Sequence, residues 1–212
     1  MKTGAETGWD YSSRWMVTDD GSVGCLGDTR PRSIIPVDLN SFLARNAHIL
    51  ATFSSAYLDD PAAAADFASF RDEITAGMDA LLWCEDDGVW YDYDFANMRQ
   101  RAFFTPSNLV PLWTESFVSE TRGREQAAAA VAYLARQDLG LCPGGVPTTF
   151  TTTGEQWDFP NCWPPLEHML VQGLEKTGLE EAREMAFRIA QRRVVGSYAN
   201  FREKGHMFEK VG

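Results

Sequence analysis

Three short stretches of the chain set carboxylates among aromatic rings. They are Trp9-Asp10-Tyr11 running on to Arg14-Trp15, then Trp90-Tyr91-Asp92-Tyr93-Asp94, and Trp157-Asp158-Phe159 running on to Trp163. This combination suits carbohydrate. An aromatic face is a flat apolar platform for the C–H side of a sugar ring, while carboxylates accept hydrogen bonds from its hydroxyls. Two carboxyls facing each other across a glycosidic bond can serve as general acid and general base. The competing assignment is packing at the apolar ends of helices, and Trp83 and Trp113 fit it. For Trp9, Trp90 and Trp157, placement in connectors favours the sugar-facing role.

The elements that must position these stretches are helical. Leu39, Phe42, Leu43, Leu50, Phe53 and Tyr57 recur at a near-3.6 period over Val37 to Leu58. Asp59-Asp60-Pro61 ends that run, and the proline suits the first turn of the next helix, Ala62 to Trp83. A second pair covers Pro106 to Phe117 and roughly Arg124 to Gln137, and a third covers Pro164 to Lys176 and Glu180 to Phe201. Glu180, Glu181 and Glu184 near the start of that last helix, with Arg192 and Arg193 further on, match the sign of the helix dipole. Val89 to Phe95 alternates as a short hairpin strand would. Turns inside the helical hairpins are short and polar, whereas the connectors between hairpins carry most of the tryptophan. Stacking antiparallel hairpins side by side brings all those connectors to one end. That end is the expected site.

Composition removes other classes. With 19 Lys+Arg against 30 Asp+Glu, the net charge is −11, which disfavours nucleic acid and anionic lipid surfaces. Hydrophobic residues at 44% and charged residues at 23% are those of a globular chain. No apolar run approaches the roughly 18 residues of a membrane span, and no apolar leader follows Met1 to Glu6, so no signal peptide is expected on this chain. Cys25, Cys84, Cys142 and Cys162 lack metal or redox spacing and are expected to be buried free thiols; two disulfides remain an alternative with three pairings. His48, His168 and His206 are not spaced as ligands and are taken as structural.

Longer segments are more specific. Glu6-Thr7-Gly8-Trp9-Asp10-Tyr11-Ser12-Ser13-Arg14-Trp15 resembles the E-S-G-W-D-[FY]-S-S-R-W segment of trehalases, glycoside hydrolase family 37. Gln156-Trp157-Asp158-Phe159-Pro160-Asn161-Cys162-Trp163-Pro164-Pro165 is similar to the second trehalase signature, Q-W-D-x-P-x-G-W-A-P. Ile35-Pro36-Val37-Asp38-Leu39-Asn40 and Phe104-Thr105-Pro106-Ser107-Asn108-Leu109 are similar to family segments in the same order, so the resemblance covers essentially the whole chain. It implies an all-α fold, an (α/α)6 barrel built as a toroid of helical hairpins, and hydrolysis of α,α-trehalose to two glucoses with inversion. It further implies Asp10 as general acid and Glu209, in Phe208-Glu209-Lys210, as general base. Gly8 becomes a substrate contact and Trp157 part of the sugar-binding wall, with no metal or organic cofactor.

This sequence departs from the family pattern in places. Cys162 stands where the signature has glycine, so a turn needing positive φ there would be strained. Val211 replaces the aromatic expected after Glu-Lys, and the family's upstream P-G-G-R-F-x-E-x-Y-x-W-D-x-Y segment and downstream glycine-rich segment are missing. Three hairpins are half of six, so residues 1–212 are expected to be a partial catalytic domain, with a short hairpin in one connector. Such a half exposes apolar helix faces. The isolated chain is expected to keep the fold of its parent region with little or no activity. The alternatives are a non-catalytic remnant that binds sugar or a partner chain, or another (α/α)6 glycosidase of altered specificity. Cellular location and oligomeric state are not encoded in these residues.

Overall fold

The structure is a computed structural model and describes residues 2–139 and 144–211. A short helix, α1 (Lys2–Ala5), precedes a long connector that ends in strand β1 (Ile34–Ile35). The first hairpin follows, α2 (Val37–Ala56) and α3 (Pro61–Leu81). Asp60 caps α3, its side chain accepting from the Ala63 N–H at 2.9 Å, with Pro61 in the first turn where no N–H is needed.

The next connector holds the strands. β2 (Trp83–Cys84) pairs antiparallel with β3 (Val89–Trp90), and β4 (Tyr93–Asp94) lies between β1 and β5 (Arg99–Gln100). The alternating segment is thus split between two small sheets. Gly88 closes the first hairpin at φ 72°, where an added Cβ would meet the Ala129 Cβ at 2.9 Å. Only glycine lets this hairpin lie so close to the helix behind it.

A 3-10 turn over Pro106–Leu109 leads into α4 (Val110–Thr114), which stops at Glu115, left-handed at φ 57°. Then come α5 (Glu120–Ala135), α6 (Pro164–Lys176) and α7 (Glu180–Lys204). Here the boundaries differ from the sequence expectation. Ser119 caps α5 by accepting from the Arg122 N–H at 3.2 Å, so the helix begins before its first apolar residue. α7 runs on to Gly205.

The first helices of the three hairpins form one row, with α2 against α4 and α4 against α6. α3 backs α2, and α7 backs α6. The main core is continuous through this arrangement and includes Val37, Met78, Leu109, Val131, Leu134, Leu170 and Leu174. A second, smaller cluster gathers Trp9, Trp15, Trp157, Trp163, Ile34 and Leu166 at the end where α2 and α6 begin. At the opposite end Lys176 ties two hairpin turns together, donating to Glu115 at 2.8 Å and to the Trp113 carbonyl at 2.7 Å. Apolar stripes stay open to solvent on the outermost hairpins: Leu39, Leu50 and Phe53 on α2, and Phe187, Val194 and Tyr198 on α7. No helix among the described residues is long and apolar enough to cross a membrane.

Candidate active site

Arg14 is the residue around which the tryptophan-rich end is built. Its side chain is wholly buried and meets two carboxylates, Asp38 end-on and Asp92 side-on. Nη1 and Nη2 donate to Asp38 at 2.7 and 2.8 Å, while Nε and Nη2 donate to Asp92 at 2.6 and 2.9 Å. Nη2 also reaches the Ser107 hydroxyl at 2.8 Å. The guanidinium plane is covered by Trp9 and Trp15, at 4.4 and 4.5 Å from their ring centroids. Asp38 lies in the first turn of α2, and Ser107 in the turn that starts the second hairpin. One side chain therefore binds the Glu6 to Trp15 segment, the first signature of this chain, to the N-terminal ends of two helices.

The electrostatics follow from burial and pairing. Burial alone would lower Arg14, but Asp38 and Asp92 outweigh it and push the guanidinium above its ordinary range. Burial alone would raise Asp38, but Arg14 outweighs it and holds that carboxyl below the ordinary carboxylate range. Arg101, also buried, donates to the Ser13 carbonyl at 3.2 Å, and burial lowers it against the pull of Asp92 and Asp94.

The second signature is fastened to the first through Asp158, which is fully buried. It accepts from the Ser12 and Ser13 hydroxyls at 3.1 and 2.6 Å and from the Ser13 N–H at 2.8 Å. The result sits on Asp10. Its Oδ2 accepts from Gln156 Nε2 at 3.2 Å and from Trp157 Nε1 at 3.3 Å. Asp10 itself is left-handed, at φ 40°, a conformation that costs a non-glycine residue about 1–3 kcal/mol and survives only where surrounding contacts impose it.

Trp157 stacks on Trp163 at 4.0 Å and tilts against Trp9 at 5.7 Å. Trp9 and Trp157 open on a cavity of about 460 Å³ lined also by Gly8, Leu39 and Met169 among others. Gly8, at φ 76°, has nothing within 4 Å of where a Cβ would stand, so the backbone is bare at the cavity wall. A larger cavity of about 690 Å³ lies at the hairpin-turn end. It has no indole, and its charges answer one another, with Arg45 and Lys176 both on Glu115.

Asp10, Gly8 and Trp157 thus come together. Glu209 does not touch them. It is exposed, on a tail held to the second signature by paired backbone bonds between Cys162 and Val211, at 2.7 and 3.2 Å. Lys210 adds a bond to Asn161 at 3.0 Å, and Arg193 supports the Cys162 carbonyl at 3.2 Å. Glu209 therefore stands beside the second signature.

Two expectations change. Trp90 is not part of a sugar wall. It is buried in the main core against Trp83 at 4.6 Å and Phe117 at 6.2 Å, because its strand turns it inward. Cys162 is not strained: it is bridged in extended pairing rather than at positive φ, and it is disulfide-bonded. The expectation of buried free thiols changes as well: Cys162 is bonded, Cys25 and Cys84 are free but exposed and half-buried respectively, and Cys142 lies outside the described residues.

A row of helical hairpins presenting carboxylates and stacked indoles at one rim is the build of an α-helical toroid glycosidase. The trehalase family profile matches residues 1–212, and the chain belongs to that family. Trehalase of Pimpla hypochondriaca is 40% identical over 99% of this chain, and human trehalase is 36% identical over 99%. The chain spans 36% and 35% of those proteins, about a third of their length. Neutral trehalase Nth1 of Saccharomyces cerevisiae superposes with a TM-score of 0.71 at 20% identity, over 84% of this chain and 34% of that one. This likeness fixes the fold as part of an (α/α)6 barrel.

Removing Arg14 would leave two carboxylates buried without a partner. Arg14→Ala is expected to lower stability by about 3–5 kcal/mol in urea unfolding at neutral pH. The loss should shrink as pH falls through the carboxylate range. Asp38, held low in the native chain, stabilises it above the ordinary carboxylate value and stops doing so below its own. In the variant, protonation relieves the orphaned charge.

Proposed function

We propose that this chain carries the acid–base rim of a trehalase and that the complete protein hydrolyses α,α-trehalose with inversion. The observation that carries this reading is the Asp10 carboxyl, which Gln156 and Trp157 of the second signature hold beside a cavity lined by Trp9 and Trp157. A sugar ring fits that cavity with its C–H face on Trp9 or Trp157, and Gly8 allows it to approach the backbone.

In the reaction, Asp10 gives its proton to the glycosidic oxygen as the C1–O bond breaks. Water adds to C1 from the opposite face and loses a proton to Glu209. Both glucoses leave neutral, and the proton ends on Glu209 instead of Asp10, to be exchanged through solvent. An inverting pair needs about 6.5–9.5 Å between its carboxyls so that this water fits. The tail bearing Glu209 is fastened to the second signature, the same segment that contacts Asp10, which supports the pairing. The exposure of Glu209 favours weak or absent turnover by residues 1–212 alone.

In the complete protein, Asp10→Asn and Glu209→Gln are each expected to lower glucose release from trehalose by on the order of 10²–10⁴. Proton NMR of the first product should show one α- and one β-glucose, since only the attacked ring inverts. A variant with near-native rate would remove that residue from the mechanism, and two α-anomers would remove inversion.

A further inference from the structure

We propose that Asp158 is the positioning residue for the Asp10 carboxyl, an inference that rests on Asp10 being the general acid. The contacts between the two segments form a closed ring. Asp10 Oδ2 is held by Trp157 Nε1, and Trp157 is covalently next to Asp158. Asp158 Oδ1 holds the Ser12 hydroxyl, and Ser12 is two residues from Asp10 along the chain. Segments 146 residues apart in sequence are thereby locked in one register.

The lock is dense for a single carboxylate. Besides Ser12 and Ser13, Thr149 and Thr153 donate their hydroxyls to it at 2.9 and 2.6 Å. Four hydroxyls and a backbone N–H thus converge on a fully buried group. Such a group cannot shift without unpairing several donors at once. It is fully buried and lines neither the indole-rich cavity nor the one at the hairpin-turn end, so its effect on chemistry passes through Asp10. The left-handed backbone at Asp10 needs an external restraint, and Asp158 fixes the residues that follow it.

A general acid matters only to a leaving group that must be protonated. Trehalose has one; α-glucosyl fluoride does not, because fluoride departs without a proton. In the complete protein, Asp158→Asn replaces one acceptor oxygen with a donor and should displace the Asp10 carboxyl. We expect kcat for trehalose to fall about 10²-fold, with KM little changed. Hydrolysis of α-glucosyl fluoride should remain near the native rate. Ser13→Ala, which removes one hydroxyl from Asp158, should give the same selective loss at smaller amplitude, and it decides the matter if Asp158→Asn fails to fold. A parallel fall on both substrates would reduce Asp158 to a folding residue and overturn the proposal, as would native rates on both. Asp10→Asn in the same assay separates the two levels. If it shows no selective loss on trehalose, the acid assignment has failed; if it does and the Asp158 and Ser13 variants do not, only the positioning role has.

Discussion

Everything at the tryptophan-rich end hangs on one buried cation shared by two anions. Burying charge is costly, and a buried pair is retained only where geometry satisfies every donor and acceptor. Arg14 approaches that condition by forking onto Asp38 and Asp92, with Nη2 shared between both carboxylates and the Ser107 hydroxyl, and by packing its guanidinium against two indoles. One guanidinium against two carboxylates leaves a net negative interior, and Arg101, buried nearby beside Asp92 and Asp94, offsets part of it. Lysine could not replace Arg14, since a point charge cannot meet two carboxylates in bidentate fashion. The consequence is rigidity where chemistry would need it: the segment from Trp9 to Trp15 cannot drift relative to α2 or to the start of the second hairpin.

Much of the fold was legible in the sequence because apolar period and helix punctuation report on it directly. The first hairpin and the start of α6 at Pro164 follow from those signals. The start of α5 does not, since its opening turns, Glu120 to Glu125, contain no apolar residue to show a period. The site was legible in part. Asp10, Gly8 and Trp157 stand out within their segments, but the residues that hold them do not. Arg14, Asp38, Ser107 and Asp158 are polar, and a polar residue in a sequence suggests solvent or catalysis rather than a buried strut. One signal was present. The four family-like segments each supply one member of the same buried network, so the segments mark a set of contacts as much as a set of reacting groups. Trp90 shows the converse error: its connector position suggested a rim, but a two-residue strand turns it into the core.

The two ends of the hairpin row differ in kind. At the turn end, ion pairs such as Lys176 with Glu115 are partly exposed and contribute little each. At the other end, buried hydrogen bonds to Asp158 and Arg14 join segments far apart in sequence. The open stripes on α2 and α7 belong to the outermost hairpins of the row, and the α2 stripe begins at Leu39 on the wall of the indole-lined cavity. Relatives about three times as long have further chain that could cover such faces. The hydrogen bonds that hold Arg14 and Asp158 are made within residues 1–212.

The central claim is that the two signatures together aim Asp10 at a disaccharide seated against the indoles. Its most direct test is a crystal structure of the complete protein with a non-hydrolysable trehalose analogue. The account predicts one ring packed on Trp9 or Trp157, with the Asp10 carboxyl about 2.6–3.2 Å from the atom joining the two rings. An analogue seated in the cavity at the hairpin-turn end, or bound at the rim with Asp10 turned away from that atom, would contradict it.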